Sequence, residues 1–391
     1  MAKEISIVIV SYNVRRLLVD CIDSVRNALE GIDGEVVVID NCSKDDTVSY
    51  LQAHCPDVQL IANKENVGFA RANNMAIRQT DSDYVLLLNP DTIVYPDTIR
   101  GCIAFMDEHP EAGGAGVRML TREGQPAPES RRAIPTPWVS MLKMLGFTRR
   151  YYMSDLPWDK PCRIEVISGA YCLLRREALN QVGLLDEDYF MYGEDIDLSY
   201  RLLKAGMHNW YYPASILHYK GESTQKSSFR YVHVFYEAMF IFFRKHYGSM
   251  SILLSVPIRL AILFKATVAA SALAWGRLRK MLGFYYKSRD RYPDYVFIGR
   301  ECAIKNCRRI SRKLGLNARF FTADSSTNPE GHNAIRDVCE ITTPTYVVYD
   351  IDAYTYEEIL AIFSANPQKY LSIGTFDMRN NKIITKDEVL A

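Results

Sequence analysis

The chain has 391 residues, of which 48% are hydrophobic and 24% charged, and its formal net charge is +1. That balance excludes a disordered chain and a nucleic-acid binder held by bulk charge, and the length suits two domains or more. Nine cysteines at irregular spacing, with no CxxC pair and no zinc-ligand pattern, read as reduced thiols of a cytosolic protein.

The N-terminal MAKEISIVIV has neither the charged region, the long apolar core nor the small-residue cleavage site of a signal peptide, and reads as a first β-strand. Further continuous apolar runs follow at EVVVID (35–40), VQLIA (58–62) and YVLLL (84–88), the pattern of strands covered on both faces. Between them Leu18, Ile22, Val25 and Leu29 fall at helical spacing, a second helix is expected around Val48 and Leu51, and a third from Phe69 to about Gln79. Such alternation predicts a doubly wound, Rossmann-like α/β sheet. Ligands of open α/β sheets bind beyond the carboxyl ends of the strands. There the sequence places Ser11-Tyr12-Asn13, Asp40-Asn41-Cys42-Ser43, Asn63 through Asn66-Val67-Gly68-Phe69, and Asn89-Pro90-Asp91. Each cluster alone could be turn chemistry, but four on one edge make a binding cleft.

From about 110 to 163 the pattern weakens, with prolines at 126, 128, 135, 137, 157 and 161 and the pairs Arg131-Arg132 and Arg149-Arg150, and a long loop or lid is expected. Order resumes with RIEVISGAYCLLRREAL, then with FMYGEDIDLSYRLLKAG, a helix opening on an acidic N-terminus. The short runs NWYY (209–212) and SILHYKGES (215–223) follow, and an aromatic amphipathic helix spans 230–247. Residues 251–275 are strongly apolar but interrupted by Pro257, Arg259 and Lys265, and the basic run GRLRKMLGFYYKSRDR follows directly. A helix in the membrane interface fits this pairing, and so does a core helix with a solvated basic end; two central cations disfavour a transmembrane span. Beyond 292 a second alternation of strands and helices predicts a small α/β domain, in which Asp350 and Asp352 read as strand-end turn residues and FIGRECA is too glycine-poor for a dinucleotide fingerprint. The expected division is 1–228 for the first domain, 229–291 for amphipathic helices with the basic stretch, and 292–391 for the small domain.

SIVIVSYN, VVVIDNCSKDDT, NKENVGFARANN, LLLNPDT, FMYGEDIDL and ILHYKGES stand in that order between residues 4 and 247. Together they resemble the inverting, GT-A-fold glycosyltransferases of family 2, most of all the rhamnosyltransferase-like subgroup that elongates lipid-linked bacterial glycans. The resemblance does not extend to the C-terminal domain. It implies a nucleotide-sugar donor, dTDP- or UDP-linked, a divalent cation (Mg²⁺ or Mn²⁺) and a lipid-linked saccharide acceptor at the cytoplasmic face of the inner membrane. Hard cations take carboxylate and phosphate oxygens and neutralise charge on a departing diphosphate. NPD occupies the place of the family's DxD, so Asp91 becomes the metal ligand, Asn89 replaces the first acid, and His218 of HYKGES completes the metal site.

By the same resemblance, Asp40, Asn41 and Ser43 hold the base and ribose, Arg71 meets the diphosphate, and Ser11, Asn13, Asn66, Gly68 and Asn89 join the donor site. Asp195 of YGEDID is the general base, Glu194 orients groups or contacts the acceptor, Asp197 starts the helix, and Arg201 contacts phosphate or pins the loop. Two rivals remain: a non-catalytic, nucleotide-sugar-binding subunit of a glycan assembly complex, and a nucleotidyltransferase. The second is expected to carry a glycine-rich phosphate loop after the first strand, which SYNVRR is not.

Overall fold

The computed structural model describes residues 3–219, 229–248, 275, 293–378, 381–385 and 389–390. The apolar segment 251–274, the basic run and the end of the HYKGES motif lie outside the described residues. The first unit alternates β1 (Lys3–Ser11), α1 (Arg15–Ala28), β2 (Gly34–Asp40), α2 (Thr47–His54), β3 (Gln59–Ala62), α3 (Phe69–Ile77) and β4 (Ser82–Leu88). It continues through β5 (Thr92–Val94), α4 (Thr98–Glu108), β6 (Ala112–Leu120), α5 (Pro137–Met144), β7 (Cys162–Ile164), β8 (Tyr171–Arg175), α6 (Arg176–Val182), α7 (Glu194–Lys204), β9 (His208–His218) and α8 (Phe229–Tyr247).

Nine strands form one mixed sheet in the order β3-β2-β1-β4-β8-β6-β9-β5, with β7 on β9. The first four are parallel, and β8 turns antiparallel against β4. Strand order reverses between β1 and β4, the crevice where open α/β sheets take ligands. Register aligns Ser11 with Asp40 and Asp40 with Ala62, so the polar clusters emerge side by side. Fully buried Ile7, Ile9, Val38, Leu86 and Leu173 pack one face against α1 and α4, while Val8, Val37, Val85 and Leu174 pack the other against α3, α6 and α7. Each fully buried aliphatic side chain contributes on the order of 2 kcal/mol.

Two expectations need correction. The stretch 110–163 is not one long loop, because β6 runs through the sheet between β8 and β9. Its sequence, AGGAGVRML, carries no run of β-branched residues, because neighbours press on it: a Cβ on Gly114 would lie 2.7 Å from the Leu173 carbonyl. The runs NWYY and SILH are likewise one strand, β9, whose pairing with β6 shifts register between Val117 and Arg118.

The second unit holds β10 (Asp294–Gly299), α9 (Glu301–Leu314), β11 (Ala318–Thr322), α10 (Arg336–Cys339), β12 (Thr345–Asp350), α11 (Tyr356–Ala365), β13 (Leu371–Asp377), β14 (Lys382–Ile384) and β15 (Val389–Leu390). Its sheet runs β11-β10-β12-β13-β14-β15. The Arg300 guanidinium bridges Asp350 and Asp352 at the strand ends. The two units share a hydrophobic cluster in which Ile93, Leu217 and Tyr219 of the first join Val296, Val347, Ile359 and Phe363 of the second. Gly124 (φ +73°) lies on the Phe363 backbone, where a Cβ would come within 2.8 Å, and its carbonyl accepts from Ser364 Oγ at 3.3 Å.

Candidate active site

The turn after β4 is built by its own residues. Asn89 N donates to the Ala170 carbonyl at 3.1 Å, Thr92 Oγ1 closes back on the Asn89 carbonyl at 2.8 Å, and Pro90 fixes φ between them. Asp91 follows at 5% exposure, and its carbonyl accepts from Tyr219 N at 3.0 Å. Pairing of β5 with β9 sets Thr92 opposite His218 and Ile93 opposite Leu217. Asp91 Oδ1 lies 3.3 Å from His218 Nε2, and Asn89 Nδ2 lies 3.5 Å from the same ring nitrogen. Among the described residues no third His, Cys, Asp or Glu joins them. One hard oxygen donor, one imidazole and one amide, nearly buried and converging, fit a divalent cation whose other positions are filled by substrate oxygens and water.

The second pair of acids opens α7. Gly193, at φ +87°, turns the chain into the helix, and a Cβ there would sit 3.0 Å from the Tyr189 ring. Glu194 is 6% exposed and its Oε2 has no hydrogen-bond partner; burial first, then the charge of Asp195, pushes its carboxyl up to about 8. Asp195 Oδ2 accepts from Gly169 N at 3.1 Å and from the Arg132 guanidinium at 2.5 Å, while Oδ1 accepts from Ile196 N. Burial works against the charge of Arg132, but Asp195 and Tyr151 outweigh it and raise its pKa. Thus Asp195 is fixed by three donors, and burial favours the protonated form of Glu194 beside it.

Arg132 and the Ser168-Gly169-Ala170 loop are absent from the sequence-derived site. Only the basic pair Arg131-Arg132 hinted at the former, and nothing in the spacing linked it to YGEDID. Consecutive residues of that loop touch both centres, Gly169 through Asp195 and Ala170 through Asn89.

At the carboxyl ends of β1 to β3, Asn41 staples its own turn to the loop between β3 and α3. Its amide donates to Asn66 Oδ1 and the Gly68 carbonyl and accepts from Asn63 Nδ2 and Val67 N. Asn66 also accepts from Gly68 N at 3.0 Å, and Gly68 (φ +88°) packs under Phe190, whose carbonyl a Cβ would approach to 2.7 Å. Asp40 Oδ2 caps Ser43 N, and Ser43 Oγ and Asn13 Oδ1 cross-link the first two loops. The groups left for a ligand are Asp40 Oδ1 and Ser11 Oγ, both buried with no hydrogen-bond partner. Arg71 stands exposed at the edge, paired with Glu187 at 3.2 Å.

Arg201 and Asp197 lie elsewhere. The Arg201 guanidinium is spent on Asp197 and on the carbonyls of Val182, Gly183 and Leu184, so it pins the turn after α6 rather than meeting phosphate. Asp197 is not merely a helix-start residue: it is fully buried between Arg201, Lys245 and His246 and ties α7 to α8.

Residues 6–183 match the family described as Glycosyl transferase family 2. Over 227 residues the chain is 31% identical to the N-acetylglucosaminyl-diphospho-decaprenol L-rhamnosyltransferase of Mycobacterium tuberculosis, covering 53% of this chain and 73% of that one. The chain belongs to glycosyltransferase family 2. This glycosyltransferase is also 28% identical over 185 residues to rhamnosyltransferase WbbL of Escherichia coli K12, covering 42% of this chain and 70% of the relative. Among solved structures, the mannosyltransferase PcManGT of Pyrobaculum calidifontis, in complex with GDP-Man and Mn²⁺, aligns at a TM-score of 0.45 and 18% identity, over 73% of this chain and 82% of the other.

Proposed function

We propose that this glycosyltransferase moves a sugar, with rhamnose the leading candidate, from a dTDP- or UDP-linked donor to a hydroxyl of a lipid-linked saccharide, with inversion, at the cytoplasmic face of the membrane. The product class is a bacterial cell-surface glycan. Rhamnose and the lipid-linked acceptor come from the two rhamnosyltransferase relatives and from the NPDT and DNCS motifs. The cytoplasmic face comes from the reduced cysteines and the nucleotide-sugar donor; among the described residues no helix is long and apolar enough to cross a membrane.

In this reading Asp91 and His218 hold a divalent cation, which when bound offsets charge on the departing diphosphate. Asp40 Oδ1 and Ser11 Oγ bind the nucleoside, and Arg71 exchanges Glu187 for a donor phosphate. The acceptor oxygen bonds to the anomeric carbon as the bond to the nucleoside diphosphate breaks, and Asp195 takes the hydroxyl proton. Glu194, neutral beside it, orients the acceptor by hydrogen bonding. Arg132 fixes the rotamer of the base.

The observation that supports the reading is the Ser168-Gly169-Ala170 loop, which hydrogen-bonds both to Asp195 and to Asn89, two residues before Asp91. The test is transfer from dTDP-rhamnose and UDP-hexoses to a lipid-linked acceptor, with the product anomer read by NMR. Chelation and Asp91→Ala should each abolish turnover, and Asp195→Asn should lower kcat by roughly 10² to 10⁴ with donor Kd unchanged. Full activity in either variant, or a purely binding-level loss in Asp195→Asn, would refute these roles.

A further inference from the structure

Residues 134–150 leave the body of the protein as an excursion closed at its base, where Ala133 N donates to the Tyr151 carbonyl at 2.8 Å. Glu165 clamps the same base by accepting from Ile134 N at 2.7 Å and from Arg150 at 3.1 Å. One residue before this closure stands Arg132, which touches Asp195. The excursion therefore begins beside a side chain that contacts the proposed catalytic base.

Its outer surface is apolar, and the described residues leave it uncovered. Helix α5 starts with Thr136 capping Val139 N, and it buries Val139 and Ser140 against the body. At the spacing i, i+3, i+7 the opposite face presents Trp138 (63% exposed), Met141 and Leu145 (66%), and Phe147 (66%) follows. Large side chains left this open normally cost solubility unless something covers them. Scattered exposed residues are ordinary, but these four lie within ten residues, three of them on one helix face.

The electrostatics of the stretch name the partner. From Pro137 to Tyr152 there are three cations and no carboxylate. Lys143 is committed to the Tyr151 ring, with its ammonium 3.4 Å from the centroid. Arg149 and Arg150 remain outward, 80% and 62% exposed, and their partners Asp155 and Glu165 lie beyond the stretch. Exposed pairs of this kind are worth little and exchange readily for another anion. An apolar helix face bordered by two exposed guanidinium groups, each in a surface ion pair that a lipid phosphate can replace, is a composition that seats in the headgroup region of an anionic bilayer.

We infer that Trp138, Met141, Leu145 and Phe147, flanked by Arg149 and Arg150, form a docking surface for an anionic membrane, which brings the base to the level of a headgroup-bound saccharide. The need for a membrane rests on the proposed lipid-linked acceptor, but binding itself is measurable without it.

The test uses the full chain and vesicles of phosphatidylcholine alone or mixed with phosphatidylglycerol, with no acceptor and no donor. Sedimentation should show preferential binding to the anionic vesicles. The triple variant Trp138→Ser, Leu145→Ser, Phe147→Ser should weaken it about tenfold or more. Arg149→Gln with Arg150→Gln should remove most of the preference for anionic lipid. Hydrogen exchange should slow at 137–148 when vesicles are added, independently of any variant. Unchanged binding in the triple variant, no exchange protection at 137–148, or no vesicle binding by the wild type would overturn the inference. So would a vesicle-free dimer that the triple variant dissolves, since a second copy would then own the surface. Transfer to a soluble, tail-less acceptor should be equal in wild type and triple variant. Vesicle binding without transfer would count against the proposed function alone.

Discussion

Replacing Glu194 with Gln should make the protein more stable, and increasingly so as pH rises. The carboxyl is 6% exposed and carries an oxygen without a hydrogen-bond partner, and its pKa lies near 8 against an ordinary 4.5. Between those values the folded chain keeps a proton that the unfolded chain has released, so stability falls with rising pH. Each pH unit in that window costs the wild type about 1.4 kcal/mol, which accumulates to about 4 kcal/mol by pH 8. Gln has nearly the same shape and no proton to lose. Glu194→Gln should therefore match the wild type near pH 4.5 and exceed it by roughly 5 °C in melting midpoint at pH 8. Asp20 in α1, which burial foremost also raises to about 8, is common to both proteins and cancels in the comparison. Differential scanning fluorimetry across pH 4.5 to 8.5 reads the effect directly. Two melting curves displaced by a constant amount at every pH would show that Glu194 is ionised in the folded protein, and the neutral-acid role would fall with it.

Asp197→Asn should act in the opposite pH range. Burial opposes the charge of Asp197, yet His246, Arg201 and Lys245 bring its pKa down to about 2. The wild type thus holds this stabilisation above pH 4 and loses it between about 4 and 2, whereas the variant should be some 3 kcal/mol less stable at pH 7 and flat in that acid window. Chemical denaturation at pH 7 and pH 3 distinguishes the two slopes. Gly124→Val places a side chain against the Phe363 backbone at a positive φ, and should cost about 1–3 kcal/mol and increase proteolytic cleavage between the two units; an unchanged digestion pattern would mean that this contact does not hold them together.

The parallel core of the first unit was legible because β1, β2 and β4 are written in runs of Ile, Val and Leu, and the strand-end clusters followed from where those runs stop. β6 escaped because close packing against Leu173 and Ile167 demanded glycine, which in sequence reads as a loop. The three-residue β5 escaped because it is held by pairing with β9, more than 120 residues later, and not by any local pattern. The acids of the candidate site could be named from their motif, but not their partners. Arg132 reaches Asp195 across 63 residues, and Arg201 was drawn away from any phosphate by three carbonyls that only the fold brings near. Asn41 and Asn66 were read as ligand contacts, yet their hydrogen bonds are largely consumed in fastening loops to one another.

The strip formed by β5 and β9 has two sides. Pairing sets Thr92, next to Asp91, opposite His218, while Ile93 and Leu217, the next residues along each strand, pack into the cluster shared with the second unit. The C-terminal unit thus braces the proposed cation site from behind, while none of its described residues joins Asp91 and His218 there. Damage far from any substrate, at Val347 or Phe363, would surface as an apparent loss of metal affinity, and a shortened enzyme that kept every motif of its family would still arrive with its two ligands unbraced.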